Sequence, residues 1–418
     1  MKLRTAAGVN RNRLFFCSCV ALVATAMTFG VRADIIDSLS SQFRLSHEQI
    51  GWIAGTAFWG FTVSMLIGGQ ICDALGMKRL IQFAFVAHLA GIGVTIWASG
   101  FQMLFAGTLA IGLANGLVEA AVNPLIATLY VDHKTERLNR MHVWFPGGIV
   151  IGGLVTLVFT YFGLNWQIKM ASILIPTVAY GGLFFWQELP PTECAQNDVP
   201  SSAKYREAIR PGFLILLFCI LLTAATELGP SQWIPSILTT TTGLPGIVVL
   251  IWIAGLEAIG RHFAGRIVNH IAPTTLLMIS TVFAAVGLFG LGIAQTKWLV
   301  MTAAIIYAVG VCYCWPTMYG ITAERFPTGG AFLLALIGGA GMLSDAFVVP
   351  LMGRIYDSFG PGTVLRMAAI LPLFVTLIFA SIWLYDKSHG GYRIVRLLDA
   401  SGQDPATATK SELRINTT

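Results

Sequence analysis

The sequence predicts an all-α integral membrane protein in which twelve transmembrane helices form two sets of six. Composition is the first reason: 56% of the 418 residues are hydrophobic and only 11% are charged, whereas a soluble globular chain carries about 25% charged residues. The second is repetition, since apolar runs of about the 20 residues needed to cross a bilayer recur along nearly the whole chain. The third is a polar stretch from Glu188 to Arg210, containing Pro190-Pro191, which separates the first six runs from the last six. The net charge of +6 does not point to nucleic acid, because the basic residues sit in short loops and tails.

The first span, 14–36, follows Lys2, Arg4, Arg11 and Arg13. A signal peptide also begins with basic residues, but its apolar core is shorter than the run from Leu14 to Val31, so this run reads as an uncleaved helix. The next spans are 50–72, 79–99, 101–130, 143–163 and 168–187, the third and fourth parted only at Ser99-Gly100. After the polar stretch come 210–238, 244–265, 274–294, 298–323, 329–352 and 362–385. With the N-terminus inside, only Arg32, Arg44, Lys169, Lys297, Arg354 and Arg366 of the 26 Lys and Arg fall outside. The positive-inside rule therefore places both termini in the cytoplasm.

The organisation expected is a six-helix bundle over 1–187, a cytoplasmic linker over 188–209, a second bundle over 210–385 and a disordered cytoplasmic tail over 386–418. Within the tail, the stretch from Tyr392 reads as solvated, and the glycosylation-like Asn416-Thr-Thr418 is discounted because it lies inside. The seven cysteines have no zinc-like spacing, and Cys312 and Cys314 point to different helix faces, so neither a metal site nor a disulfide framework is expected.

The fourth span carries Asn115, Glu119 and Asn123 at spacings of four, which puts all three on one helix face. An ionisable group at bilayer depth costs a few kcal/mol unless it is paired, hydrated or protonated, so it points to proton or substrate handling. Glu227 in the seventh span is the second such group, with Thr223 and Ser231 on its face and Pro230 expected to break the helix beside it. Glu257 and Arg261 read as a local ion pair, His88 as a satisfied packing residue, and Asp345 as facing either the cavity or a neighbouring helix. Tyr307, Tyr313, Trp315 and Tyr319 give the tenth span an aromatic character suited to a sugar, although a lipid-facing surface has the same composition. The glycines of the eleventh span allow close helix approach.

The loop after the second span reads Gly69-Gln-Ile-Cys-Asp73-Ala-Leu-Gly76-Met-Lys78-Arg79. It resembles the signature loop of the major facilitator superfamily, with a degenerate copy, Gly260 to Arg266, at the matching place in the second half. The resemblance implies the major facilitator fold, two pseudo-symmetric six-helix bundles, and a gating or structural role for Gly69, Asp73, Gly76, Lys78 and Arg79. Asp73 is expected to cap a helix N-terminus, and Lys78-Arg79 to hold the loop inside.

Within that superfamily, Gly112, Gly116, Glu119, Ala120, Asn123 and Pro124, with Arg137-Leu-Asn139, are similar to the fucose:proton symporter family. The resemblance assigns proton coupling to Glu119. The family's acidic residue late in the first helix falls on Ala33, between Arg32 and Asp34, so Asp34 is the substitute for proton coupling and Arg32 a pointer to an anionic substrate. The family's glutamine early in the fifth helix stands here as His142. Gly107 is followed by Thr108, so the arginine that many drug:proton antiporters carry at this point is missing.

The expectation is a secondary active transporter, not an enzyme, that moves a small polar solute by proton symport with alternating access. A monosaccharide is the leading substrate, and an organic anion held by Arg32, or export on the same scaffold, is the alternative. Arg32, Asn115, Asn123, His142, Glu227, Gln232, Tyr313, Trp315 and Asp345 are the expected substrate-binding residues. No cofactor or metal is called for. The partners are the solute, protons (with sodium open in their place) and membrane lipid, and the protein is expected to work as a monomer in the cell membrane.

Overall fold

The computed structural model describes residues 10–395 apart from Asp198 and Asn269; residues 396–418, with Asn416 and most of the expected tail, lie outside the described residues. Twelve apolar helical stretches run in order. They are α1 (Arg11–Phe43), α2 (His47–Leu75), α3 (Met77–Ile96), α4 (Phe101–Leu129), α5 (Lys134–Tyr161), α6 (Trp166–Phe185), α7 (Pro211–Thr242), α8 (Gly246–His262), α9 (Pro273–Ile293), α10 (Lys297–Arg325), α11 (Pro327–Phe359) and α12 (Pro361–Ser388). Eleven of these are long and apolar enough to cross a bilayer. α8 has 17 residues, a rise of about 25 Å, which sits at the short end of the spanning range. No strand occurs among the described residues.

Local chemistry sets the ends. Ser46 and Gln49 form a reciprocal capping box at the start of α2. Gly76 closes that helix at φ +84°, a conformation that disfavours any side chain. α3 and α4 part between Ile96 and Phe101, around Ser99-Gly100 as expected.

Prolines explain the interruptions. A proline lacks the N–H that would bond the carbonyl four residues back. α5 is interrupted at Val143, before Pro146, and α10 at Cys312 and Tyr313, before Pro316. The carbonyls so released are those of His142 and Cys312. α7, by contrast, runs unbroken through Pro230 and Pro235, which corrects the expected break at Pro230. The Thr226 carbonyl freed by Pro230 accepts from the Tyr307 hydroxyl at 2.9 Å, so the helix loses a bond without losing its partner.

Helix pairs cross closely where glycines allow it. α2 packs along both α4 and α11, and α8 along α5, so contacts join the first six helices to the last six. A Cβ on Gly112 would stand 2.0 Å from the Ala57 carbonyl oxygen, and one on Gly51 2.8 Å from the Pro350 Cα. Small residues therefore set the α2–α4 and α2–α11 distances.

The first residues of the tail, read as disordered from sequence, are docked. The Tyr392 hydroxyl donates to Glu324 Oε2 at 2.9 Å, and the Val395 N–H donates to the Glu324 carbonyl at 2.8 Å. Arg325 lies over the Tyr392 ring and pairs with Asp386 at 2.6 Å.

Candidate functional site

Glu119 lies fully buried where α4, α5 and α10 meet. Its Oε2 accepts from Asn123 Nδ2 at 2.6 Å and, at 3.5 Å, from the Tyr319 hydroxyl. Asn123 Oδ1 pairs with His142 Nε2 at 3.0 Å, and that nitrogen stands 3.9 Å from Glu119 Oε2. The His142 ring stacks on Tyr319 at 5.5 Å. Glu119 Oε1 has no partner. Three side chains from both sets of helices thus converge on one carboxyl group, and its Oε1 remains a free acceptor beside His142.

Asn115 lies outside this cluster. It donates to Thr28 Oγ1 at 3.0 Å, and its Oδ1 pairs with His88 Nε2 at 2.8 Å, while His88 also pairs with the Tyr180 hydroxyl at 2.9 Å. This chain ties α1, α3, α4 and α6 together and consumes the hydrogen bonds of Asn115. Its expected substrate role therefore gives way to an internal brace, and His88 is a satisfied packing residue as read.

Arg261 is the largest departure from the sequence reading. Read from sequence as the i,i+4 partner of Glu257, it does lie 3.6 Å from that carboxylate, but it is buried and its shorter ion pair is with Glu227 at 2.8 Å. Its remaining donors reach the Cys312 carbonyl at 2.7 Å and the His142 carbonyl at 3.3 Å. Those are the two acceptors that Pro316 and Pro146 set free. One guanidinium thus satisfies exposed backbone in α5 and α10 and anchors Glu227 of α7.

Arg32 sits at the contact of α1 with α7. Its Nε donates to Gln232 Oε1 at 3.0 Å, and the guanidinium lies 4.8 Å from the Phe29 ring centre and 5.5 Å from that of Phe58. Nη2 is buried without a partner. No ion pair of Arg32 with a carboxylate occurs among the described residues. A cavity of about 20 Å³ opens beside it between Thr28, Thr95 and Thr108, room for about one water.

Other expected residues are placed elsewhere. Asp34 pairs with Lys169 at 2.7 Å, away from the Glu119 cluster, so an existing cation already holds the substitute proton carrier. The Tyr313 hydroxyl donates to the Gly260 carbonyl at 3.1 Å and packs with Cys312, Ala264 and Leu276, which removes it from the binding set. Trp315 is buried against Gly341 of α11 and Ala224 of α7. Asp345 is buried on α11 with both oxygens unpartnered. The aromatic tenth span faces protein, since Tyr307, Tyr313, Trp315 and Tyr319 are all buried.

Contacts close both faces. On the face away from the linker, His47 pairs with Asp357 at 2.8 Å, Ser236 donates to Asp37 at 3.2 Å, and Trp233 Nε1 donates to the Val349 carbonyl at 3.0 Å. On the linker face, Thr135 of α5 donates to Glu324 of α10. Asp73 accepts from Thr192 and pairs with Lys204, both of the linker, instead of capping a transmembrane helix as expected. Gly69 lies directly against Ala335 of α11, while Lys78 is half-buried and Arg79 exposed, neither in an ion pair among the described residues.

The linker also joins Glu193 to Lys134 at 2.6 Å and seats Cys194 against the Pro327 and Thr328 carbonyls. Burial pushes the Cys194 thiol up to about 11, so little thiolate exists at neutral pH. Lys204→Ala should loosen this seat; relief of burial, the largest influence on the thiol, is expected to lower it by more than loss of the Lys204 charge raises it, and so to raise the thiolate fraction. The labelling rate at Cys194, measured against a Cys194→Ser control, is expected to rise roughly tenfold; an unchanged rate would mean that the Asp73–Lys204 pair does not hold the linker down.

Helices joined across both faces around buried, cross-linked charges define a membrane carrier. The profile of the Major Facilitator Superfamily matches residues 14–332. The chain belongs to that superfamily, whose members are transporters and not enzymes. It is 22% identical over 391 residues to a candidate niacin/nicotinamide transporter, NiaP, of Bacillus subtilis, covering 86% of this chain and 90% of the relative. A 2-nitroimidazole transporter of Escherichia coli is 23% identical over 400 residues (88% and 95% covered). The 3-(3-hydroxy-phenyl)propionate transporter of the same organism is 22% identical over 360 residues (80% and 84%).

Among solved structures, the E. coli xylose transporter XylE in a partially occluded inward-open conformation superposes with a TM-score of 0.74 at 15% identity, covering 89% of this chain and 97% of that one. The E. coli fucose:proton symporter FucP gives 0.67 at 14% identity (88% and 98%). These likenesses show the fold.

Proposed function

We propose that this chain is a proton-coupled symporter of a small organic anion, with the solute carboxylate on Arg32 and a coupling proton on Glu119. One observation carries the substrate class: a buried guanidinium with an unpartnered Nη2 and no carboxylate in ion pair with it. A buried cation in that state lacks its counter-ion, and a carboxylate matches the planar fork of guanidinium bidentately. Phe29 and Phe58 add aromatic faces beside it. Niacin and 3-(3-hydroxy-phenyl)propionate, in the names of two relatives, are aromatic acids, while nicotinamide, in the first of those names, and 2-nitroimidazole are aromatic without the acid.

Glu119 supports the coupling half. A proton on it removes a buried charge that Asn123 and Tyr319 otherwise solvate, and the neutral, loaded carrier reorients. In this reading the bundles 1–187 and 210–385 rock about the closed state described above. The linker face is cytoplasmic by its excess of Lys and Arg, and the protein acts as a monomer in the plasma membrane.

A monosaccharide is the second reading. It is favoured by the Trp315 ring at the meeting of α7, α10 and α11, with Tyr319 6.2 Å away. Uptake into proteoliposomes under an inward proton gradient separates the two. The acids of an aromatic-acid, nitroimidazole, xylose and fucose panel are expected to accumulate. Sugar accumulation without acid uptake would overturn the anion assignment, and uptake indifferent to the gradient would overturn proton coupling.

A further inference from the structure

Asp345 is a fully buried acid that the Glu119 cluster does not use. Its place on α11 follows from the glycines. A Cβ on Gly338 would stand 2.1 Å from the Tyr319 hydroxyl, and one on Gly341 2.6 Å from the Trp315 ring. Asp345 comes a turn later, where a Cβ on Gly229 of α7 would lie 3.5 Å from its Oδ1. The stretch from Gly338 to Asp345 rises about 10 Å, so Asp345 and Glu119 are separate sites at different depths.

The surroundings of Asp345 supply no cation. α7 presents Glu227, whose own Oε2 is unpartnered. Glu227 and Glu257 share the single Arg261. α10 presents Tyr307, occupied by the Thr226 and Glu227 carbonyls, and beyond it Trp315 and Tyr319; its Glu324 and Arg325 lie at the linker face. The ionisable residues of α2 (His47, Glu48, Cys72 and Asp73) stand at its two ends, Glu119 of α4 accepts from the Tyr319 hydroxyl, and Arg366 of α12 bonds exposed Thr363. Ionised Asp345 would add a further carboxylate beside Glu227, with no side-chain partner for either oxygen. A buried acid without partner is far cheaper neutral than charged.

We propose that Asp345 is a second proton-carrying site, so that each transport cycle moves two protons with one substrate anion. This rests on the symporter reading above. In the outward-open state one proton forms an O–H bond on each of Glu119 and Asp345; both bonds break when the opposite side opens and hydrates the acids. Two protons and one monoanion carry a net charge of +1. Transport must therefore respond to membrane potential as well as to pH, whereas one proton per monoanion would be electrically silent.

The test is equilibrium accumulation of a labelled aromatic monocarboxylate in proteoliposomes, under a potassium-diffusion potential, with and without a pH gradient. The wild-type protein is expected to gain tenfold in accumulation for each ~59 mV of inside-negative potential, and Asp345→Asn to lose that response while still answering to the pH gradient. A wild-type protein that follows the pH gradient but ignores potential, or a D345N variant as electrogenic as the wild type, overturns the assignment. Indifference of the wild type to the pH gradient instead overturns the underlying proton-coupling reading. Should D345N be inactive, difference infrared spectra of purified protein across an alkaline jump decide. The carboxylic-acid C=O band lost by the wild type is expected to be weaker in D345N by one acid, and an unchanged band overturns the proposal.

Discussion

Glu119→Gln is expected to lower the accumulation reached under a one-unit inward pH gradient about tenfold, the free-energy equivalent of one proton, while solute counterflow continues. Glutamine keeps the shape of the side chain and can still bond Asn123 and Tyr319, so the packing where α4, α5 and α10 meet survives. What it loses is the titratable oxygen. A permanently neutral side chain reorients whether or not the outer medium supplies a proton, so the gradient no longer biases the loaded carrier through this site. Accumulation ratios with counterflow in the same vesicles separate lost coupling from lost folding. Undiminished gradient-driven accumulation would remove Glu119 from the coupling path and leave its hydrogen bonds as structural glue.

The twelve spans were legible because a bilayer imposes one length and one composition on each. Glu119 and Asn123 were legible because spacing within a helix is local. Their partners were not: Tyr319 and Gln232 lie 200 residues from Glu119 and Arg32, and no periodicity links such positions. Asn115 shares the helix face of Glu119 yet turns to His88 and Thr28, because the neighbours of a face change along its length. Arg261 was read only with its helical neighbour Glu257, because its closer partner Glu227 lies on another helix 34 residues away. A signal existed in Pro146 and Pro316, each of which releases a carbonyl that a buried donor must satisfy. Asp73 was given the role its motif implies, but the charges that meet it come from the linker, whose course in space the sequence does not reveal.

Arg32→Ala is expected to weaken uptake of an aromatic monocarboxylate 30- to 150-fold in KM, the loss of about 2–3 kcal/mol that accompanies removal of one partner from a charged hydrogen-bonded pair. Arg32→Lys should recover part of this, because an ammonium restores charge but not the planar fork or the stacking between Phe29 and Phe58. A structural role predicts something different. If Arg32 served mainly to join α1 to α7 through Gln232, alanine would lower the thermal midpoint in detergent. If it awaits a carboxylate, alanine removes a buried charge without a counter-ion, and the midpoint of the empty protein holds or rises. Ligand should then raise the midpoint of the wild-type protein and not of R32A, since only a ligand that binds the native state stabilises it. A fall in the empty midpoint with unchanged KM would assign Arg32 to the α1–α7 contact and remove the anion from the proposed cargo.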